Sequence, residues 1–118
     1  MPPPADYTLH QHMGISVVSL QLESLLGVIE VNRIGADLMA MIENGTRKLV
    51  LDLGKVKYAG SAALGMLLGL SSELNSRGGK LILAKPDHLE PLLKVTRARG
   101  MFTIAPDAMS AMEMFTQN

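Results

Sequence analysis

The stretch Val50-Leu-Asp-Leu-Gly-Lys-Val-Lys-Tyr-Ala-Gly-Ser-Ala-Ala-Leu-Gly65 decides how this chain is built. It opens inside a nearly continuous apolar run, Lys48 to Leu53, of the kind that suits a strand covered on both faces. The segment Gly54 to Gly60 has the composition of a loop. From Ser61 the pattern turns helical and runs to about Ser76, where Arg77-Gly78-Gly79 ends it and Lys80-Leu-Ile-Leu-Ala84 supplies a second buried strand. A strand, a helix and another two-sided strand imply parallel pairing through a right-handed crossover.

Downstream, Pro86-Asp87 starts a helix expected to end near Gly100, and Met101 to Ala105 reads as a strand. Pro106-Asp107 caps a final helix with Ala108, Ala111, Met112 and Phe115 on one face. Upstream, Ile34, Leu38, Met41 and Ile42 recur at the three-and-four interval of one buried helical stripe, with Asn32 as N-cap. Asn44-Gly45 stops that helix. Asn44-Gly-Thr46 also spells a glycosylation sequon, but with no secretory leader it is read as a turn. Glu23 to Val31 is apolar and fits strand, loop or helix start equally. Tyr7 to His12 and Ile15 to Leu20 read as two short strands turning at Met13-Gly14. Residues 1–6, with Pro2 to Pro4, are expected to be a disordered extension. The expectation is an α/β fold: one small domain over residues 1–118, with a mixed, mostly parallel sheet of about four to five strands and about four helices.

Composition narrows the function. The 118 residues carry eleven basic and eleven acidic side chains, so no basic footprint for nucleic acid or an anionic membrane surface is present. With no Cys there is no disulfide framework, thiol nucleophile or thiolate metal site. Aromatics make up 3% and Met numbers nine, so the core must be aliphatic and adaptable. No leader and no bilayer-length apolar run is seen, and a cytoplasmic location is expected. His10 and His12 would share one face of a strand, but no third ligand accompanies them, and no metal or other cofactor is expected. Lys94, Arg97 and Arg99 read as a solvated helix end. The phosphate loop, dinucleotide fingerprint and nucleophile elbow are all missing, and the chain is read as a non-enzyme.

The loop before Ser61 lies at the carboxyl end of a parallel strand, where sites on open α/β sheets favour forming. Ser61 stands at a helix N-terminus, where free backbone N–H groups and the dipole favour negative charge. Two readings are compatible: an N-cap hydroxyl, and a phosphoacceptor whose added charge would change a surface that a partner touches. Beyond it, Leu64, Leu67, Leu68 and Leu74 form one stripe facing the sheet, and Ala62, Met66, Gly69 and Leu70 a second. The helix glycines call for close approach of a neighbour, either within the chain or from a partner.

The block Leu49 to Leu68, followed by Arg77 to Leu83, resembles the STAS family, whose pattern is a V-L-D-L-S strand, a loop ending in D-S-S-G-L-G, a helix, G-G and a strand. The resemblance is to the anti-sigma-factor antagonists. It implies a partner anti-sigma factor that doubles as a serine kinase, phosphorylates a Ser at the helix start, and is bound by the unphosphorylated form; a serine phosphatase resets the switch. Laid on this pattern, Gly60 stands at the Asp, Ser61 at the first Ser, Ala62 at the second (usual acceptor) Ser, and Ala63 at the Gly, while Gly54 replaces the Ser of V-L-D-L-S. Ser61 is thus the phosphoacceptor candidate, with Lys57, Tyr58, Gly60, Ala62, Ala63, Met66 and Leu70 as the partner-binding surface. Two further readings are a STAS scaffold that is never phosphorylated and a small-molecule-binding module on the same fold.

Overall fold

The apolar run Lys48–Asp52 is the central strand of a five-stranded sheet. The structure, a computed structural model, describes residues 6–117. Its strands are β1 (Tyr7–His12), β2 (Ile15–Leu20), β4 (Lys48–Asp52), β6 (Lys80–Ala84) and β7 (Thr103–Ala105), ordered β1-β2-β4-β6-β7, and a separate ribbon pairs β3 (Ser24–Leu25) with β5 (Tyr58–Ala59). Only β1 runs antiparallel, joined to β2 through Met13 and Gly14, both at positive φ as a two-residue hairpin requires. The other neighbours are parallel, in unbroken register from Lys48↔Lys80 to Asp52↔Ala84.

Helices cover both faces. α1 (Val28–Glu43) and α2 (Ser61–Ser76) bury Ile34, Leu38, Ile42, Leu67 and Leu74 against Val18, Leu49, Leu51 and Leu83. α4 (Ala108–Thr116) covers the opposite face through Ala111, over Ile15, Val17, Val50 and Ile82. This two-sided coverage is why β4 and β6 are apolar at consecutive positions. Short α3 (Glu90–Val95) adds Leu93 beneath Leu64 and Ala98.

Several boundaries differ from the sequence reading. Residues 23–31 resolve into β3 and the first turn of α1, so the helix starts at Val28 with Gly27 as N-cap, and Asn32 is inside it. The segment 86–100 is not one helix: a 3-10 turn at Asp87–Leu89, α3, and a second 3-10 turn at Arg99–Met101 divide it. Arg97, at positive φ, breaks the helical path after α3. The last strand is correspondingly shorter, starting at Thr103. Pro2 to Pro4 lie outside the described residues. Asp6, assigned to the extension, is held: its carbonyl accepts from Gln21 N–H at 2.6 Å, and its carboxylate accepts from Arg33 Nε at 2.8 Å.

Candidate protein-recognition site

The site is built from the loop that leaves β4. Leu53 N–H continues the ladder to the Ala84 carbonyl at 2.9 Å, and buried Val56 closes a turn onto the Leu53 carbonyl at 3.1 Å. The chain is then clamped to the segment after β2, because Lys57 and Tyr58 N–H both donate to the Glu23 carbonyl, at 2.7 and 3.0 Å. The ladder pairs Ser24↔Tyr58 and Leu25↔Ala59 extend that clamp, so residues 23–26 become one wall of the site. Gly60 is extended, and a β-carbon there would come within 3.3 Å of Leu26 Cδ2.

Ser61 follows as the first residue of α2 and is exposed. It is not the N-cap: that position is Gly60, and no side chain caps the helix. Among the described residues the Ser61 hydroxyl has no hydrogen-bond partner, and no acidic residue stands in the first helical turn. The free N–H groups of that turn and the helix dipole leave a locally positive, solvent-facing surface.

The other residues singled out from sequence divide into two groups. Lys57, Tyr58 and Ala62 are exposed, Gly60 and Met66 half-buried, and all five border the Ser61 surface or the groove beside it. Ala63 and Leu70 are buried in the chain's own core, at 0% and 1% exposure, and leave the set of surface candidates. They sit on the sheet-facing side of α2, so the stripe assigned to a second flank is split. Met66 packs on α1, where a β-carbon at Gly35 would lie 3.1 Å from its Cγ. By contrast Gly65 and Gly69 have nothing within 4 Å of a built β-carbon. The close approach expected at the α2 glycines occurs at Gly35 of α1 instead. Gly65 and Gly69 line an open groove of about 320 Å³ between α1 and α2, together with Asn32, Ala36, Ala62 and Met66.

Sequence reasoning missed three residues. Leu26, Val28 and Ile29 are large, apolar and exposed at 56%, 61% and 75%, beside Tyr58 at 56%. They bracket the N-terminus of α1, and Leu26 is the one that reaches Gly60, the residue before Ser61. Their signal was available: an apolar cluster at a helix start that falls outside the buried stripe. Such contiguous exposure marks interaction surfaces in small soluble domains.

At the carboxyl ends of β2, β4 and β6, a polar depression of about 250 Å³ is lined by Ser19, Gln21, Asp52, Gly54, Lys55 and Lys85. Its groups engage one another: Asp52 accepts from Gly54 N–H at 2.9 Å and from the Ser19 hydroxyl at 3.4 Å, and Lys55 donates to Gln21 at 2.6 Å. His10 and His12 lie exposed on edge strand β1, and among the described residues no group of three or more metal-ligating side chains forms. No described helix is long and apolar enough to cross a membrane.

The STAS domain family model matches residues 7–109. BtrV of Bordetella bronchiseptica, provisionally named an anti-sigma factor antagonist, is 28% identical over 96 residues, covering 80% of this chain and 82% of its own. The crystal structure of a Thermotoga maritima protein with the same provisional name superposes at a TM-score of 0.82, with 21% identity over 94% of this chain and 95% of that one. The Bacillus protein SpoIIAA in its phosphorylated form superposes at 0.72, with 19% identity over 92% and 98% of the two chains. The family match spans nearly all the described residues, and the superpositions reproduce the same sheet and helices: the chain belongs to the STAS domain family.

Proposed function

We propose that this protein is an anti-sigma factor antagonist that docks an anti-sigma factor with serine kinase activity on the surface around Ser61. The observation that carries the reading is the exposed Ser61 hydroxyl, free of any capping bond at the N-terminus of α2, in a loop that also presents exposed Tyr58 and meets exposed Leu26, with Val28 and Ile29 exposed just beyond Leu26 at the start of α1. Apolar anchors beside a polar, dipole-bearing helix end supply both the desolvated centre and the polar rim that protein interfaces use. Phosphorylation of Ser61 would add about two negative charges next to free N–H donors. The host helix tolerates that charge, while a partner surface matched to the neutral hydroxyl does not. The names borne by BtrV and the structural relatives support the same reading.

Ala62 at the usual acceptor position favours a second reading, in which the same surface binds its partner constitutively. Incubation with the cognate anti-sigma factor and ATP, followed by intact mass measurement, separates the two. One phosphoryl group on the wild type and none on Ser61→Ala supports the switch. No phosphoryl transfer with retained binding supports the constitutive module, and absence of binding removes both.

A further inference from the structure

Strand β1 forms an outer edge of the sheet, and among the described residues it lacks the features that normally protect such an edge. Its six residues, Tyr7-Thr-Leu-His-Gln-His12, include no Lys, Arg, Asp, Glu or Pro, and the register against β2 runs from Tyr7↔Leu20 to His12↔Ile15 without a bulge. Thr8 to His12 are exposed, and among the described residues β1 pairs with β2 alone. Natural sheets guard an edge of this length with charge, proline, a bulge or a covering element. The opposite edge, β7, is only three residues long.

The ladder also fixes which groups are free. Asp6 carbonyl accepts from Gln21 N–H, so by antiparallel alternation the even-numbered residues of β1 turn their backbone groups toward β2. The N–H and C=O groups of Leu9 and Gln11 therefore face outward. We infer that β1 pairs antiparallel with β1 of a second copy, joining two sheets across a two-fold axis. The register with Leu9 opposite Leu9 places Tyr7 opposite the other copy's Gln11, so outward groups meet outward groups throughout. An isologous contact of this kind is self-complementary by construction. The strand carries no Lys, Arg, Asp or Glu, so identical copies approach without the repulsion a Lys-bearing edge would impose. Leu9, 41% exposed, is covered by its symmetry mate. This surface does not include Ser61, and it stands or falls separately from the antagonist reading.

Sedimentation equilibrium of the purified chain over a wide dilution series tests the inference, with amide exchange measured on the same samples. The expected result is a weight-average mass rising from 12.7 kDa toward twice that value, with the Leu9 and Gln11 amides gaining protection as concentration rises. Leu9→Pro removes an outward donor while sparing the bonds to β2, and Gln11→Lys adds an edge charge. Both should hold the mass at 12.7 kDa with an unchanged circular dichroism spectrum. If Leu9→Pro unfolds, Gln11→Lys alone decides. A wild type that stays at 12.7 kDa at every concentration overturns the inference, as does a dimer that a natively folded variant leaves intact.

Discussion

Met66 of α2 lies across Gly35 of α1, so near that a β-carbon at residue 35 would sit 3.1 Å from its Cγ and 3.4 Å from its Sδ. This contact sets how closely the two helices beneath the Ser61 surface approach. The α2 glycines near it, Gly65 directly before Met66 and Gly69 three residues after, contribute nothing to it, because both face open space. Gly65→Ala and Gly69→Ala should therefore each stabilise the fold by about 0.5–1 kcal/mol, the gain of replacing Gly in a helix interior. Gly35→Val should destabilise it, because the branched side chain must displace Met66. Urea unfolding midpoints at constant m-value check all three.

Gly79 is required for a different reason. A β-carbon there would lie 2.3 Å from the Arg47 carbonyl oxygen, which accepts from Lys80 N–H at 2.8 Å. Backbone cannot move aside as Met66 can. Gly79→Ala should cost about 1–3 kcal/mol, the usual penalty of overpacking. It should also lower the protection of the Lys80 amide in hydrogen exchange.

Leu70 and Tyr58 should separate stability from recognition. Leu70 is 1% exposed in the core, and Leu70→Ala should cost about 2–5 kcal/mol of stability. Tyr58 is 56% exposed, so Tyr58→Ala should leave the unfolding midpoint nearly unchanged while weakening partner binding, by about 2 kcal/mol if it is an anchor. A thermal melt beside a binding titration distinguishes the two effects.

Asp107 caps α4, accepting from Ser110 N–H at 2.7 Å. That backbone hydrogen bond, joined by a smaller side-chain contribution from Ser110 and attraction to Lys85, holds its carboxyl below the ordinary value of 3.8. A depressed carboxylate pKa contributes stability that is present above the unfolded value and is lost as pH falls through the folded one. The melting temperature of the wild type should thus decline below about pH 4 more steeply than that of Asp107→Ala. At neutral pH Asp107→Asn should retain most of the cap and Asp107→Ala should not.

The parts of the fold legible in the sequence are those where periodicity is long or two-sided. β4 and β6 read as apolar runs, α2 as a leucine stripe, and the Asn44-Gly45 and Gly78-Gly79 stops as glycine chemistry. The two-residue strands β3 and β5 have no periodicity to read, and only the clamp onto Glu23 creates them. The start of α1 was obscured because Leu26, Val28 and Ile29 are apolar yet exposed, against the rule that apolar spacing marks the buried stripe. The same residues extend the candidate surface beyond what the Ser61 motif suggested. Ser61 reads in the sequence as the helix start and a candidate cap, and it is the first helical residue but not the cap. Its neighbour Gly60 takes that role through backbone conformation, which no side-chain preference reveals, and this is what leaves the hydroxyl free.

The central claim is that the Ser61 surface, with its apolar flank, docks an anti-sigma factor. The most direct measurement is calorimetric titration of the cognate anti-sigma factor into the wild type, Ser61→Asp, and Ile29→Ala, each verified as folded. Ile29 is 75% exposed and contributes little to the core, so its removal reports on recognition. The account predicts tight binding by the wild type, at least a tenfold loss for Ser61→Asp, equal to about 1.4 kcal/mol, and a comparable loss for Ile29→Ala. Equal affinity for all three proteins would contradict it.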